Sequence, residues 1–277
     1  MSNTQYRILS AIVLVLIVIV SVFLGKNAML TFCMIAGLMS IDELLVNFSK
    51  LERKDANYLS VQFLFLVSFS LINFIFNLYL TRILFTIISI LFNLFLIYYL
   101  FKIPLQDGFM KKSAEKFKGL LSILIIFPLL SFGIHLESEN WKRVLCLLLV
   151  VTFSMDTGAW FFGKNFGKHK LWPIVSPNKT VEGLFGGMFT SALLGSIVWF
   201  LLFHSFKWES SVIFALCGAI SQVGDLIQSK IKREFQIKDS SNLIPGHGGV
   251  YDRIDSLIFL SPFFVVVVEY LGRQLVF

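Results

Sequence analysis

The chain has 277 residues, 56% of them hydrophobic and only 15% charged, with a mean hydropathy of +0.79. That is too little charge to cover a water-soluble surface of this size, so an ordinary soluble domain is excluded. The formal net charge of +7 would raise nucleic acid as a partner of a soluble protein. In a chain dominated by apolar runs it reports topology instead, because Lys and Arg favour cytoplasmic loops, and no nucleic-acid partner is expected.

An apolar run of about 18 or more residues reads as a membrane-spanning helix. Such runs are expected as spans at about 8–24, 28–48, 59–80, 83–101, 119–136, 144–163, 183–204, 211–229 and 255–272. Arg7 ahead of the first run imitates a secretory signal, but the run is long and no A-x-A-like site follows, so a retained first helix is expected. The fold class is therefore all-α, a polytopic integral membrane protein with about nine transmembrane helices. With that count, 18 of the 24 Lys and Arg residues fall on one side and six on the other. The asymmetry places the N-terminus and the polar loops 164–182 and 230–254 in the cytoplasm and the C-terminus outside. The chain divides into N-terminal, lipid-facing scaffold helices over 1–143 and a C-terminal catalytic region over 144–277. Cys33, Cys146 and Cys217 lie within apolar runs without metal-ligand spacing and read as small core residues.

Acids inside membrane spans are costly and are functional candidates by default. Asp42, Glu43 and Glu269 are embedded but have nothing nearby to suggest more than interfacial or paired acids. Asp156 lies in SMDTGAWFFG (154–163), Asp225 in SQVGDLIQSK (221–230), and Asp252 and Asp255 in YDRIDSL (251–257). On a helix, Asp225, Ser229 and Lys232 or Arg233 share one face. The following KDSSNLIPGHGGVYDRID (238–255) cannot stay helical, because Pro245 and glycines 246, 248 and 249 interrupt it. A glycine-rich turn offers bare backbone N–H groups to an anion. Asp252 and Asp255, three residues apart, then share a face of the returning helix.

This re-entrant hairpin carries acids on both arms and cations between them. Carboxylates suit a hard divalent cation such as Mg²⁺. Lys232, Arg233, Lys238 and Arg253 suit phosphate oxygens. The combination is what phosphoryl or nucleotidyl transfer requires. A basic loop with helix-capping acids would explain each element singly, but not their convergence within 31 residues. The second polar loop carries Lys164, Lys168, Lys170 and Lys179 and ends in SPNKTVEG (176–183), with Ser176, Lys179, Thr180 and Glu182 beside Gly183. Walker A, Rossmann and H-E-x-x-H patterns are absent. Of the four histidines, only His247 invites a functional role.

The stretch Ser229 to Asp255 resembles the signature of the phosphatidate cytidylyltransferases (CDP-diacylglycerol synthases). Its fixed positions are matched by Lys232, Arg233, Lys238, Asp239, Ser241, Pro245, His247, Gly248, Gly249, Asp252, Arg253 and Asp255. Asp156 through Glu182 is similar to the family's upstream block, with one departure at Trp160, where Tyr is commoner. The motif resemblance covers the C-terminal 45% or so of the chain; the N-terminal spans match only as apolar helices. It implies an inner-membrane enzyme of around nine helices, with its active site facing the cytoplasm. It implies condensation of CTP with phosphatidic acid, giving CDP-diacylglycerol and pyrophosphate in phospholipid biosynthesis. Mg²⁺ is implied as cofactor, with a second cation such as K⁺, and a homodimer stays open. Carried onto this chain, Asp225 and Asp252 are the metal-binding pair. Lys232, Arg233, Arg253 and Asp255 join them as catalytic residues. Ser176, Lys179, Thr180, Glu182, Asp156, Ser229, Lys238, Asp239, His247, Gly248 and Gly249 are the expected substrate-binding set.

Three rival readings fit the sequence less well. A CTP-dependent lipid kinase of the polyprenol kinase type shares the substrates' chemistry but lacks the full signature. A transporter would show paired interrupted helices in two halves, whereas here polar residues crowd the C-terminal half. A purely structural membrane protein gives no reason for a Gly-rich hairpin dense in acids and bases.

Overall fold

A computed structural model describes residues 3–76 and 78–273, without the side chains of 3–7 and 273. The side chains of Arg7 and Arg273, both counted in the charge argument, thus lie outside the described residues. The chain is all-α apart from one short hairpin. Its helices are α1 (Asn3–Leu24), α2 (Lys26–Glu43), α3 (Ala56–Ser70), α4 (Tyr79–Lys102), α5 (Phe109–Lys116), α6 (Ile123–Phe132), α7 (Trp141–Phe166), α8 (Val181–Phe203), α9 (Trp208–Glu234) and α10 (Tyr251–Arg273). Strands β1 (Lys170–Trp172) and β2 (Ser176–Thr180) pair antiparallel between α7 and α8. Hydrocarbon offers the backbone no hydrogen-bond partners, so helices, which satisfy their own N–H and C=O groups, are the form these apolar runs take.

Among the described residues seven helices are long and apolar enough to cross a membrane: Lys26–Phe48, Ala56–Ile75, Tyr79–Lys102, Trp141–Phe166, Val181–Phe203, Trp208–Glu234 and Tyr251–Gly272. This is an integral membrane protein. The expected count of nine is not reached among the described residues. The apolar part of α1, Ile8–Leu24, is shorter than the others. The expected fifth span, 119–136, is matched by Leu120–Leu136, which meets the preceding Leu105–Lys116 at 100° and counts as a span only if the two are taken together. Gly119, at φ 99°, makes the corner, a conformation that costs glycine little. Two spans end in a widened π turn, Leu44–Phe48 after α2 and Leu71–Ile75 after α3.

The chain forms two compact units. The first comprises Met1–Ser89, Ile103–Leu136 and Ile231–Ile254; the second Ile90–Lys102, Glu137–Lys230 and Asp255–Phe277. In the first, Ile41, Leu44, Leu45, Phe65, Phe69 and Ile125 are fully buried. There Gly37 lets α2 lie against Leu129 and Phe65, where a Cβ would sit 2.6 Å from both side chains. In the second, α7 and α8 approach closely through small residues, as membrane helices do when dispersion replaces the hydrophobic effect. A Cβ on Gly187 would meet Met155, and one on Gly158 would meet Thr190. Ser191 of α8 donates to Val151 O (3.1 Å) and Phe214 O (3.0 Å), tying α7, α8 and α9 together.

Candidate active site

In the first unit, the signature turn is organised around two acids. Asp252, in the first turn of α10, has a side chain only 3% exposed. Its Oδ1 accepts from Lys232 Nζ at 2.9 Å. Its Oδ2 accepts from Ser240 N (2.8 Å), Ser240 Oγ (3.0 Å) and Gly249 N (2.9 Å). The turn between them is sharp: Gly246 and Gly248 have φ of 76° and 84°, and Ile244 N donates to Gly248 O at 2.8 Å. Glu43, the last residue of α2, is the second acid. Its Oε1 accepts from Ser241 Oγ (2.8 Å) and Val250 N (2.8 Å), and its Oε2 from Ser240 Oγ (2.7 Å) and Tyr251 N (3.0 Å). It thereby satisfies two orphan N–H groups at the start of α10 and places negative charge at that helix's positive end. Asn47, in the widened turn after α2, donates to Ser240 O at 2.7 Å.

The cations divide by role. Lys232 is committed to Asp252. Arg233 Nη1 donates to Ile237 O at 3.1 Å, closing the end of α9. Glu234 accepts from Lys111 N at 3.1 Å, at the start of α5. Lys238 and Arg253 are exposed, and among the described residues neither side chain makes a hydrogen bond or ion pair. Asp239 is exposed as well. His247 Nδ1 lies 2.7 Å from Ser10 Oγ of α1.

In the second unit, Asp225 of α9 is about a third exposed, and its Oδ2 accepts from Lys179 Nζ at 2.6 Å. Ser229 Oγ points to Oδ1 from 3.4 Å, in accord with the expected shared helix face. Ser221, Gln222 and Gln228 lie on that same arc by helical periodicity. Their Oγ, Nε2 and Oε1 atoms are buried without a protein partner among the described residues. Lys230 is structural: buried, it donates to Tyr99 O (2.7 Å) and Leu100 O (3.1 Å) near the end of α4, where a cation meets the helix's negative end.

The upstream block forms the hairpin. Thr180 ends β2 and caps α8, its Oγ1 accepting from Gly183 N at 3.1 Å. Glu182, in the first turn of α8, accepts from His169 N (3.2 Å) and lies 2.6 Å from His169 Nδ1. Gly163 and Gly167 leave room for Thr180. Ser176 sits opposite Trp172 at the hairpin's end. Asp156 and Trp160 are exposed on α7, with Lys164 Nζ 5.1 Å from the Trp160 ring centre. Asp255 Oδ1 accepts from Ser256 N at 2.7 Å.

The structure thus joins Asp252, Lys232 and Gly249 in one cluster and Asp225, Lys179 and Ser229 in another. Sequence reasoning missed Glu43 and Ser240. Ser240 had a signal, since it adjoins the matched Asp239 and Ser241. Glu43 had none beyond its membrane-embedded charge. Among the described residues no three His, Cys, Asp or Glu side chains gather as a metal cage. Asp252 in the first unit and Asp225 in the second each offer oxygen donors of the kind Mg²⁺ takes, a metal commonly held by one or two carboxylates plus substrate phosphates.

The fold and these acid–lysine pairs define a helical membrane protein with charged machinery at the ends of its spans. The chain belongs to the cytidylyltransferase family, whose model matches residues 5–271. It is similar to the phosphatidate cytidylyltransferase of Staphylococcus aureus (strain COL), at 40% identity over 144 residues, 52% of this chain and 55% of that one. Proteins of the same name from Staphylococcus epidermidis and Staphylococcus saprophyticus are 43% and 44% identical over 127 residues, 46% of this chain and 48% of theirs. The matched stretch spans about half the length of these curated relatives.

Proposed function

We propose that this protein transfers the cytidylyl group of CTP to phosphatidic acid, giving CDP-diacylglycerol and pyrophosphate. A phosphate oxygen of phosphatidate attacks the α-phosphorus of CTP; that P–O bond forms as the α–β bridging P–O bond breaks and pyrophosphate leaves. The nucleophile needs no strong base, because a phosphomonoester's second pKa is about 6. Asp225 and Asp252 are the carboxylates that would hold Mg²⁺, with a second cation such as K⁺ beside it; the metal supplies charge neutralisation for the phosphates. Lys232, Arg233 and Arg253 counter the charge of the two anionic substrates. Lys238, Asp239 and the glycine turn 246–249 border the phosphates, and Asp255 orients the basic residues. Ser229 and Lys179 flank Asp225. Asp156, Ser176 and the Glu182–His169 pair bound the surface that meets nucleotide or lipid headgroup, with Thr180 setting the hairpin against α8. Lipid enters from the bilayer and CTP from the cytoplasm, at the inner membrane.

One observation carries this reading. Asp252 is fixed by three donors on one oxygen and a lysine on the other, while the neighbouring Arg253 side chain stays exposed and uncommitted. A rigid carboxylate beside uncommitted cations suits a metal-bound triphosphate better than a helix cap alone. Purified protein in detergent with CTP, phosphatidic acid and Mg²⁺ is expected to yield CDP-lipid and pyrophosphate. Formation of CDP and a newly phosphorylated lipid would instead make it a CTP-dependent lipid kinase.

A further inference from the structure

We propose that Glu43 is a positioning residue for the reaction, acting through Ser240 on Asp252; this rests on the cytidylyl-transfer reading. Glu43 is 2% exposed and receives four hydrogen bonds, all from the signature turn and the start of α10. Ser240, 1% exposed, is the link. Its hydroxyl lies 2.7 Å from Glu43 Oε2 and 3.0 Å from Asp252 Oδ2, and its amide donates to that same Asp252 oxygen. With one hydroxyl proton, Ser240 bridges the two carboxylates. The packing admits nothing else: a Cβ on Gly249 would collide with Ser240 Oγ and with the Glu43 carboxylate. Asn47, four residues on, holds the Ser240 carbonyl. A helix almost 200 residues upstream therefore sets the orientation in which Asp252 faces Lys232.

Glu43→Gln is the sharpest probe, because it keeps the volume. Each carboxylate oxygen faces one hydroxyl and one backbone N–H. The hydroxyls can reverse to accept from an amide NH₂, but Val250 N–H and Tyr251 N–H cannot. Whichever way the glutamine turns, one backbone donor loses its acceptor. The expected result is a kcat lower by on the order of 10²-fold, the scale set by about 1 Å of misplacement. The Mg²⁺ concentration for half-activation rises, while KM for phosphatidic acid is unchanged. Glu43→Asp, which keeps the charge but falls a methylene short, recovers part of the loss. Ile41→Ala is the stability control: it is fully buried on the same helix, makes no bond to the turn, and loses melting temperature without losing turnover per folded molecule.

Wild-type kcat in Glu43→Gln, or an equal fall in Ile41→Ala, would overturn the proposal. If the wild type itself forms no CDP-lipid, the functional reading fails separately. Amide exchange at Val250 and Tyr251 together with Mg²⁺ binding then decides the Glu43 proposal, which needs both to change in Glu43→Gln.

Discussion

Two carboxylates of α9 and α10 each face a lysine, yet they are held in opposite ways. Asp252 has a side chain 3% exposed and its partner Lys232 11%; three further donors from the turn fix its other oxygen. Asp225 is 32% exposed and Lys179 20%, and Ser229 Oγ adds a long contact of 3.4 Å. The first acid belongs to the architecture of the turn. The second meets a flexible side chain from the hairpin and stays partly open. An ion pair at a protein surface is worth about 0–1 kcal/mol, whereas breaking a buried one costs about 3–5 kcal/mol because a charge is stranded. Two acids proposed for the same chemistry thus differ widely in structural weight.

The largest test of that contrast is Asp252→Ala. Lys232 and the amides of Ser240 and Gly249 lose their common acceptor, so activity is expected to fall about 10²–10³-fold and the protein to lose about 3–5 kcal/mol of stability. Asp225→Ala is expected to lose activity to the same degree, with a stability change of no more than about 1 kcal/mol. Thermal melting in detergent beside the product assay separates the two. Similar melting temperatures for both variants would erase the distinction drawn between the acids.

The unequal roles were invisible in the sequence, while much else was legible. Long apolar runs marked the seven clear spans because the bilayer leaves a chain few alternatives. The fifth expected span was legible as an apolar run from 119 onward, but not its sharp bend against Leu105–Lys116, because KKSAEKFK (111–118) reads as a polar loop and a hydropathy window does not register a backbone turn. The spacing of Asp225, Ser229 and Lys232 revealed one helix face. Glu43 read as an interfacial acid because its four partners lie about 200 residues away and no local pattern points to them. Thr180 read as a ligand-facing residue from its motif, and its side-chain oxygen caps α8. Lys232 stood out by its helix face and its place in the signature, but no sequence pattern assigned Lys230 a role, and it holds the end of α4.

The more open acid offers a subtler test. Lys179→Gln removes the cation from Asp225 Oδ2, so Mg²⁺ binding without nucleotide is expected to tighten, by up to about fivefold for a pair worth about 1 kcal/mol. Turnover should nevertheless fall, because Lys179 no longer meets a phosphate. Calorimetric Mg²⁺ titration of the protein in nanodiscs reads the first effect. Unchanged or weaker Mg²⁺ binding would show that the lysine and the metal do not compete for Asp225.

The smallest expected effect lies at the hairpin's foot. Thr180→Ala removes the oxygen that receives Gly183 N–H, and loss of such a cap costs about 1 kcal/mol. Thr180→Ser keeps the oxygen and should melt close to the wild type. Because the cap sets where β2 enters α8, and Lys179 is the adjacent residue, the alanine variant should also loosen the Lys179–Asp225 pair without removing either charge. Its melting temperature is therefore expected to drop modestly, with turnover per folded molecule preserved, since the lysine side chain is flexible to begin with. A large loss of turnover in Thr180→Ala, absent in Thr180→Ser, would mean that the threonine hydroxyl itself touches substrate and that the hairpin holds its acid more rigidly than the exposures of Asp225 and Lys179 imply.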